Sequence, residues 1–350
     1  MLDTGVDGSH PALAGKIVRE ACFSGNGNCP NGATQQIGPG PGVACTYAGD
    51  CKHGTHVAGI AASRSGVARR ANIIAIQVFS RFTGPICEGF GDPCALTYTS
   101  DQIAALEHVF ELRNKHRIAV VNMSLGGGSY SSQAACDADN VARKAAIDNL
   151  RAAGIATVAA SGNAGYAHLI DEPACISSAF SVGSVTKSDQ VSVFTNSASF
   201  LDFLAPGTSI RSTVPGGGFK VLSGTSMATP HVAGAFAILS QRLGRADVDR
   251  VADALPRPVW ASSTRSTVSP SRASPSTPAR VARASTGRRG ARSCSASPDR
   301  ARDGRASRHA RGRVRRLIRS TRRSRGSLPT ISVKDFASAR AARSCPRERS

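Results

Sequence analysis

Four short, almost uninterrupted apolar runs, at residues 71–79, 118–123, 155–160 and Phe180–Val185, recur between longer stretches of helical periodicity. A strand without a polar face must be covered on both sides, and intervening helices supply that cover on a parallel sheet. Helices are expected over His53–Ala62, 100–115, 139–153 and 226–243, with a short surface helix over 247–255. The predicted class is α/β: three layers, a mostly parallel central sheet with helices on both faces. About 255 residues suffice for one substantial core. No internal repeat interrupts the pattern, and no apolar run approaches the roughly 20 residues that a membrane span needs.

Charge divides the chain in two. Of its 44 Lys and Arg and 23 Asp and Glu, 25 and 4 fall in residues 257–350, which leaves 19 of each sign in residues 1–256. The formal net charge of +21 therefore belongs to the last 94 residues, which hold 24 Arg and one Lys among Ser, Ala, Pro and Gly. So little apolar surface cannot offset chain entropy, and disorder is predicted there. Arginines in such number could neutralise phosphates, but an out-of-frame reading of GC-rich DNA also yields Arg, Ala, Pro, Gly and Ser without Lys. The second reading is the expectation: a folded domain over 1–256, a tail over 257–350, and no nucleic-acid partner.

The segment Gly224-Thr225-Ser226-Met227-Ala228-Thr229-Pro230-His231-Val232-Ala233-Gly234 sets a serine after a glycine turn and just before a helix of small residues, with Pro230 expected in the first turn. Helix N-terminal amides stabilise negative charge beside such a serine, although a Ser in front of a helix is more often its N-cap. Asp3 ends a short apolar strand and runs into a glycine turn, and His53 opens a helix packed with small residues. Taken one at a time, a turn acid and a helix cap explain them. Taken together, they supply what turns a neutral hydroxyl into a nucleophile: an imidazole to take its proton and a carboxylate to fix the tautomer and stabilise the imidazolium. His53 and His56, three residues apart, lack the spacing and the glutamate of a His-Glu-x-x-His zinc protease. His231 is expected to pack within its helix.

Asp3-Thr4-Gly5, His53-Gly54-Thr55-His56-Val57-Ala58-Gly59 and the Ser226 segment resemble the three active-site motifs of the subtilisin-like serine proteases. Their chain order is the one known from subtilisin itself. The resemblance runs from Asp3 to about Leu255 and implies Ser226 as nucleophile, His53 as general base and then acid, and Asp3 as orienting carboxylate. It implies a serine endopeptidase that cleaves proteins or peptides through an acyl-enzyme, with no cofactor needed for the chemistry. Asn163 falls where the family keeps its oxyanion-hole amide, though Asn-Ala-Gly after a strand is also ordinary turn chemistry. Ser124, Leu125 and Gly126 resemble the segment whose backbone takes substrate as an added strand. Ala160, Ser161 and Gly162 would face it across the first specificity pocket. Small residues on both walls predict a roomy pocket, broad specificity and some preference for large apolar or aromatic residues. The far end of that pocket is not legible here.

For calcium, Ala12 stands where the family's strongest site places an aspartate. A second site resembles that of the proteinase K branch: the backbone oxygens of Pro173 and Cys175 with the Asp202 carboxylate, hard ligands that suit structural calcium. Asp202 as a turn acid is the alternative.

Only Met1 and Leu2 precede Asp3. The expectation is a chain truncated at the front, lacking most of the strand beneath Asp3, a signal peptide and the propeptide that family members carry as secreted zymogens. Eight of the ten cysteines lie in residues 1–256, mostly in Gly, Pro and Asn-rich loops, and read as disulfides formed outside the cytoplasm. Eight cysteines leave connectivity open, with Cys87 to Cys94 across one loop as the first pair to test. A secreted monomer is expected. The competing class is an inert member of the fold that binds anionic partners through its tail.

Overall fold

The computed structural model describes residues 1–243 and 248–255. The tail over 257–350, expected to be disordered, lies outside the described residues, as does Asp247 of the expected last helix. The chain runs through β1 (Leu2–Asp3), β2 (Ile17–Phe23), β3 (Gln35–Ile37), α1 (His53–Ala62), β4 (Ile73–Gln77), β5 (Ser80–Phe82), β6 (Cys94–Leu96), α2 (Thr99–Leu112) and β7 (Val120–Met123). It continues through β8 (Gly127–Tyr130), α3 (Gln133–Asp139), α4 (Val141–Ala152), β9 (Ala156–Ala160), β10 (Ile170–Glu172), β11 (Phe180–Val185) and β12 (Phe203–Pro206). Last come β13 (Ile210–Val214), β14 (Gly218–Leu222), α5 (Thr225–Leu243) and α6 (Val248–Asp253).

Eight strands form one sheet in the order β12-β11-β9-β7-β1-β4-β2-β3. Six of its seven pairings are parallel, and β3 alone joins antiparallel. Side chains of successive strand residues point to opposite faces, and both faces are apolar. On one, Ala156 and Val158 join Val182, Phe203 and Phe180 beneath α5 and α6, where the Phe236 ring lies 5.2 Å from that of Phe180. Also on that side, α1 packs Ala58, Ala61 and Ala62 on Ile73 and Ala75 and lies against α5. On the other face, Ile76, Val121, Met123 and Ala159 meet Leu106 and Val109 of α2 and Ile147 and Leu150 of α4. Three layers result, as the alternation of apolar runs predicts.

Three local expectations are corrected. The run at 71–79 forms a strand only over Ile73–Gln77, because the Phe79 amide turns back onto the Gln77 side chain. The helix expected over 139–153 is α4, which starts at Val141 because Asn140 (φ −116°, ψ 31°), whose side chain donates to the Cys136 carbonyl at 3.0 Å, separates it from α3. Pro230 lies inside α5, beyond its first turn. There it cannot donate to the Ser226 carbonyl four residues back, and that carbonyl accepts the Ser124 hydroxyl instead, at 2.9 Å.

The eight cysteines of residues 1–256 pair as Cys22–Cys29, Cys45–Cys51, Cys87–Cys94 and Cys136–Cys175. The bridge singled out beforehand is among them. Among the described residues, no helix is long and apolar enough to cross a membrane.

Candidate active site

Asp3 sits at the carboxyl end of β1, in the middle of the sheet, with Leu2 paired to Ile76 on one side and Met123 on the other. The segment after it is clamped to the start of α1. The Thr4 hydroxyl accepts the Gly54 amide and donates to Cys51 O, while the Thr55 hydroxyl accepts the Asp7 amide. Gly54 is required at this contact, since a Cβ there would lie 2.2 Å from Gly5 O and 3.1 Å from Asp3 Oδ1. Helix and strand thereby approach closely enough for Asp3 Oδ1 to accept from His53 Nδ1 at 2.8 Å, while also accepting the Thr4 amide at 2.7 Å. The side chains are 1% and 18% exposed, so the carboxylate is sealed and the imidazole reaches the surface. Burial works against the imidazolium, but the Asp3 charge and hydrogen bond outweigh it and hold the His53 pKa above its ordinary value.

Ser226 is the second residue of α5 and therefore belongs to the helix itself. Its hydroxyl donates to Ser124 O at 3.3 Å, and among the described contacts it makes no hydrogen bond to His53. Ser124 and Ser226 are thus bound reciprocally, with Asn122 Nδ2 donating to the Ser124 hydroxyl at 3.0 Å. The helix start is held by Asn163, whose Oδ1 accepts the Thr225 amide at 2.8 Å and the Thr225 hydroxyl at 3.0 Å. That pairing fixes the amide's orientation, with its oxygen on Thr225 and Nδ2 on the opposite side.

The residues expected to form substrate walls converge. Ser124, Leu125 and Gly126 follow β7, and Ala160, Ser161 and Gly162 end β9 or follow it. A Cβ at Gly126 would stand 3.8 Å from Ala160 O. Leu125 turns into the core, and Ser161 is committed through its amide to Val182 O and through its hydroxyl to Asn196 O. β10 borders the same stretch: the Gly126 Cβ would lie 3.4 Å from Asp171 Cβ and 3.1 Å from Glu172 O. Behind it, the buried Arg143 binds Glu172 Oε2 at 2.9 Å and Gln102 Oε1 at 2.7 Å. Sequence reasoning missed Asp171, Glu172, Arg143 and Asn196. The one available signal was polarity, Asp-Glu ahead of a proline and an Arg on the apolar side of a helix.

The two other histidines of the motif segments have structural partners. His56 Nε2 contacts Lys220 O at 3.0 Å, and burial drives its pKa down to about 4, so it stays neutral. His231 Nδ1 contacts Met227 O at 2.9 Å, inside its own helix as expected. Of the residues expected to hold calcium, Asp202 accepts the Ser181 amide and hydroxyl on Oδ2, both at 3.0 Å, and Pro173 O accepts the Ile176 amide at 3.1 Å. No group of three or more His, Cys, Asp or Glu able to hold a metal occurs among the described residues.

Asp3 thus orients the His53 imidazole, and Asn163 holds the start of the helix that carries Ser226. The profile of the subtilase family matches residues 1–268, and the chain belongs to that family. It is 34% identical over 243 residues to alkaline serine exoprotease A of Vibrio alginolyticus, covering 69% of this chain and 38% of that protein. It is 34% identical to subtilisin amylosacchariticus of Bacillus subtilis subsp. amylosacchariticus (68% of this chain, 54% of that protein) and to proteinase R of Parengyodontium album (70% and 54%). The chain thus spans about half or less of the length of these relatives. Among solved structures, a cold-adapted subtilisin-like serine proteinase superposes with TM-score 0.53 at 30% identity, covering 72% of this chain and 78% of that one. A psychrophilic protease, S41, superposes with TM-score 0.56 at 26% identity, covering 73% and 80%.

Proposed function

We propose that residues 1–256 form a serine endopeptidase domain. Ser226 Oγ attacks the peptide carbonyl while His53 takes its proton. The tetrahedral oxyanion is held by Asn163 Nδ2 and the Ser226 amide. His53 returns the proton to the leaving amine, and water then hydrolyses the acyl-enzyme by the same path. What supports this most is the Asp3 to His53 hydrogen bond of 2.8 Å, which leaves the tautomer with Nε2 free of its proton and directed away from Asp3. The orientation of Asn163 agrees with it, because an oxygen committed to Thr225 leaves the nitrogen as the donor.

The substrate backbone lies along Ser124, Leu125 and Gly126 as an added strand, and the residue before the scissile bond enters between that segment and Ala160, Ser161 and Gly162. Broad specificity for large apolar residues, action as a secreted monomer and maturation from a propeptide complete the reading. Calcium at Pro173, Cys175 and Asp202 rests on resemblance alone and enters no step.

A serine-directed fluorophosphonate tests the reading. The folded protein becomes labelled, while Ser226→Ala and His53→Ala leave no label with unchanged circular dichroism. The Ser226 hydroxyl bound to Ser124 O favours a second reading, an inert member of the fold. Absence of labelling and turnover in the folded parent establishes that second reading, and labelling of Ser226→Ala refutes the role of Ser226.

A further inference from the structure

Asn196 lies in the loop between β11 and β12, 0% exposed, and belongs to none of the three active-site motifs. Three of its four polar groups bind the segment that carries Asn163. Its amide donates to Gly162 O at 3.1 Å, and its carbonyl accepts the Ser161 hydroxyl at 2.8 Å. Its Oδ1 accepts the amides of Ala164 at 2.8 Å and Tyr166 at 3.2 Å. Its Nδ2 donates to Asp171 Oδ1 at 2.9 Å, and that buried carboxylate oxygen also accepts the Ser129 hydroxyl at 2.6 Å. Asp171 in turn donates its backbone amide to Ser161 O at 3.0 Å. The turn is moulded on this pair. Gly162 has φ +109°, and a Cβ there would lie 2.2 Å from Asn196 Nδ2 and 2.1 Å from Asp171 Oδ2.

We infer that Asn196, backed by Asp171, is the positioning residue for the oxyanion donor Asn163. The inference rests on the proposed peptidase reading. Asn163 is flanked by residues that Asn196 holds directly, Gly162 through its carbonyl and Ala164 through its amide. Its side chain is anchored separately, on Thr225. A hydrogen-bond donor for a developing charge must hold its place within about 0.5 Å, and a shift of about 1 Å costs roughly a hundredfold in rate. A buried side chain with every group engaged, spanning both neighbours of the donor, supplies that rigidity. Asn196 touches no substrate and moves no proton.

A double-mutant cycle with Asn163→Ala separates positioning from general packing. Asn196→Ala is expected to lower kcat for a peptide anilide by roughly tenfold or more, with KM within about threefold. In the Asn163→Ala background the same change should cost less than about threefold, because the donor it positions is gone. Equal losses in both backgrounds, or a change confined to KM or to the melting temperature, overturn the inference. If Asn196→Ala does not fold, the isosteric Asn196→Asp enters the same cycle; it keeps the acceptor for Ala164 and Tyr166 and loses the donor to Asp171. If the parent hydrolyses nothing, the peptidase reading fails separately. The inference is then read from the Asn163 side-chain 15N–1H signals, and signals unmoved by Asn196→Asp overturn it.

Discussion

At the scale of single residues, charge placement sets the chemistry. Asp3 raises the His53 pKa above 6.5 against the opposing effect of burial. A general base must be neutral in the free enzyme, so kcat/KM should fall as pH drops through that raised value, with the midpoint of the acid limb above 6.5. Asp3→Asn removes both the charge and the tautomer control. It is expected to move the limb down and to lower kcat by roughly 10⁴-fold. A pH–rate profile with an uncharged peptide substrate checks both, and an unmoved limb would remove Asp3 from the site. His56 cannot mimic this limb, because its pKa of about 4 keeps it neutral throughout the range.

At the scale of elements, the approach of α1 to β1 sets the site. Asp3 ends β1, with Leu2 paired to Ile76 of β4 and to Met123 of β7. The start of α1 comes within reach of that carboxylate only because residue 54 lacks a side chain, since a Cβ there would lie 2.2 Å from Gly5 O and 3.1 Å from Asp3 Oδ1. Gly54→Ala is expected to push helix and strand apart and to lengthen the Asp3 to His53 hydrogen bond. A misplacement of about 1 Å costs roughly a hundredfold in rate, so kcat for a peptide anilide should fall by about that factor while circular dichroism still reports a folded protein. An unchanged kcat would show that the close approach of α1 does not position His53.

For the whole molecule, cross-links differ in weight because the loops they close differ in length. Cys136–Cys175 joins α3 to the segment after β10 across 39 residues, and loop entropy assigns it about 4 kcal/mol. Cys45–Cys51 spans six residues and is assigned about 2 kcal/mol. At roughly 2–4 °C per kcal/mol for a domain of this size, replacing Cys136 and Cys175 together by Ala should lower the melting temperature by about 10 °C. The loss should be about half that for Cys45 and Cys51. Equal losses in thermal scans would show that strain or local packing outweighs loop length here.

The apolar runs, their helical spacers, the three short motifs and the turn after the third apolar run determined the layer architecture and the family and singled out Asp3, His53, Ser226 and Asn163 as candidates. Those features are local: a period, a turn, or a motif in one stretch of chain, and none needs knowledge of what lies across the core. Antiparallel additions such as β8, β10, β13 and β14 escaped because they are short and their faces are mixed, so no period distinguishes them from loops. Pro230 reads as a helix-start residue until the fold places Ser124 against the carbonyl it leaves unpaired. Asn196 and Asp171 look like ordinary loop polars. Only the tertiary structure brings them under the Gly162 turn, because contacts between residues that far apart in sequence depend on how strands and loops pack and leave no periodic trace in the chain itself.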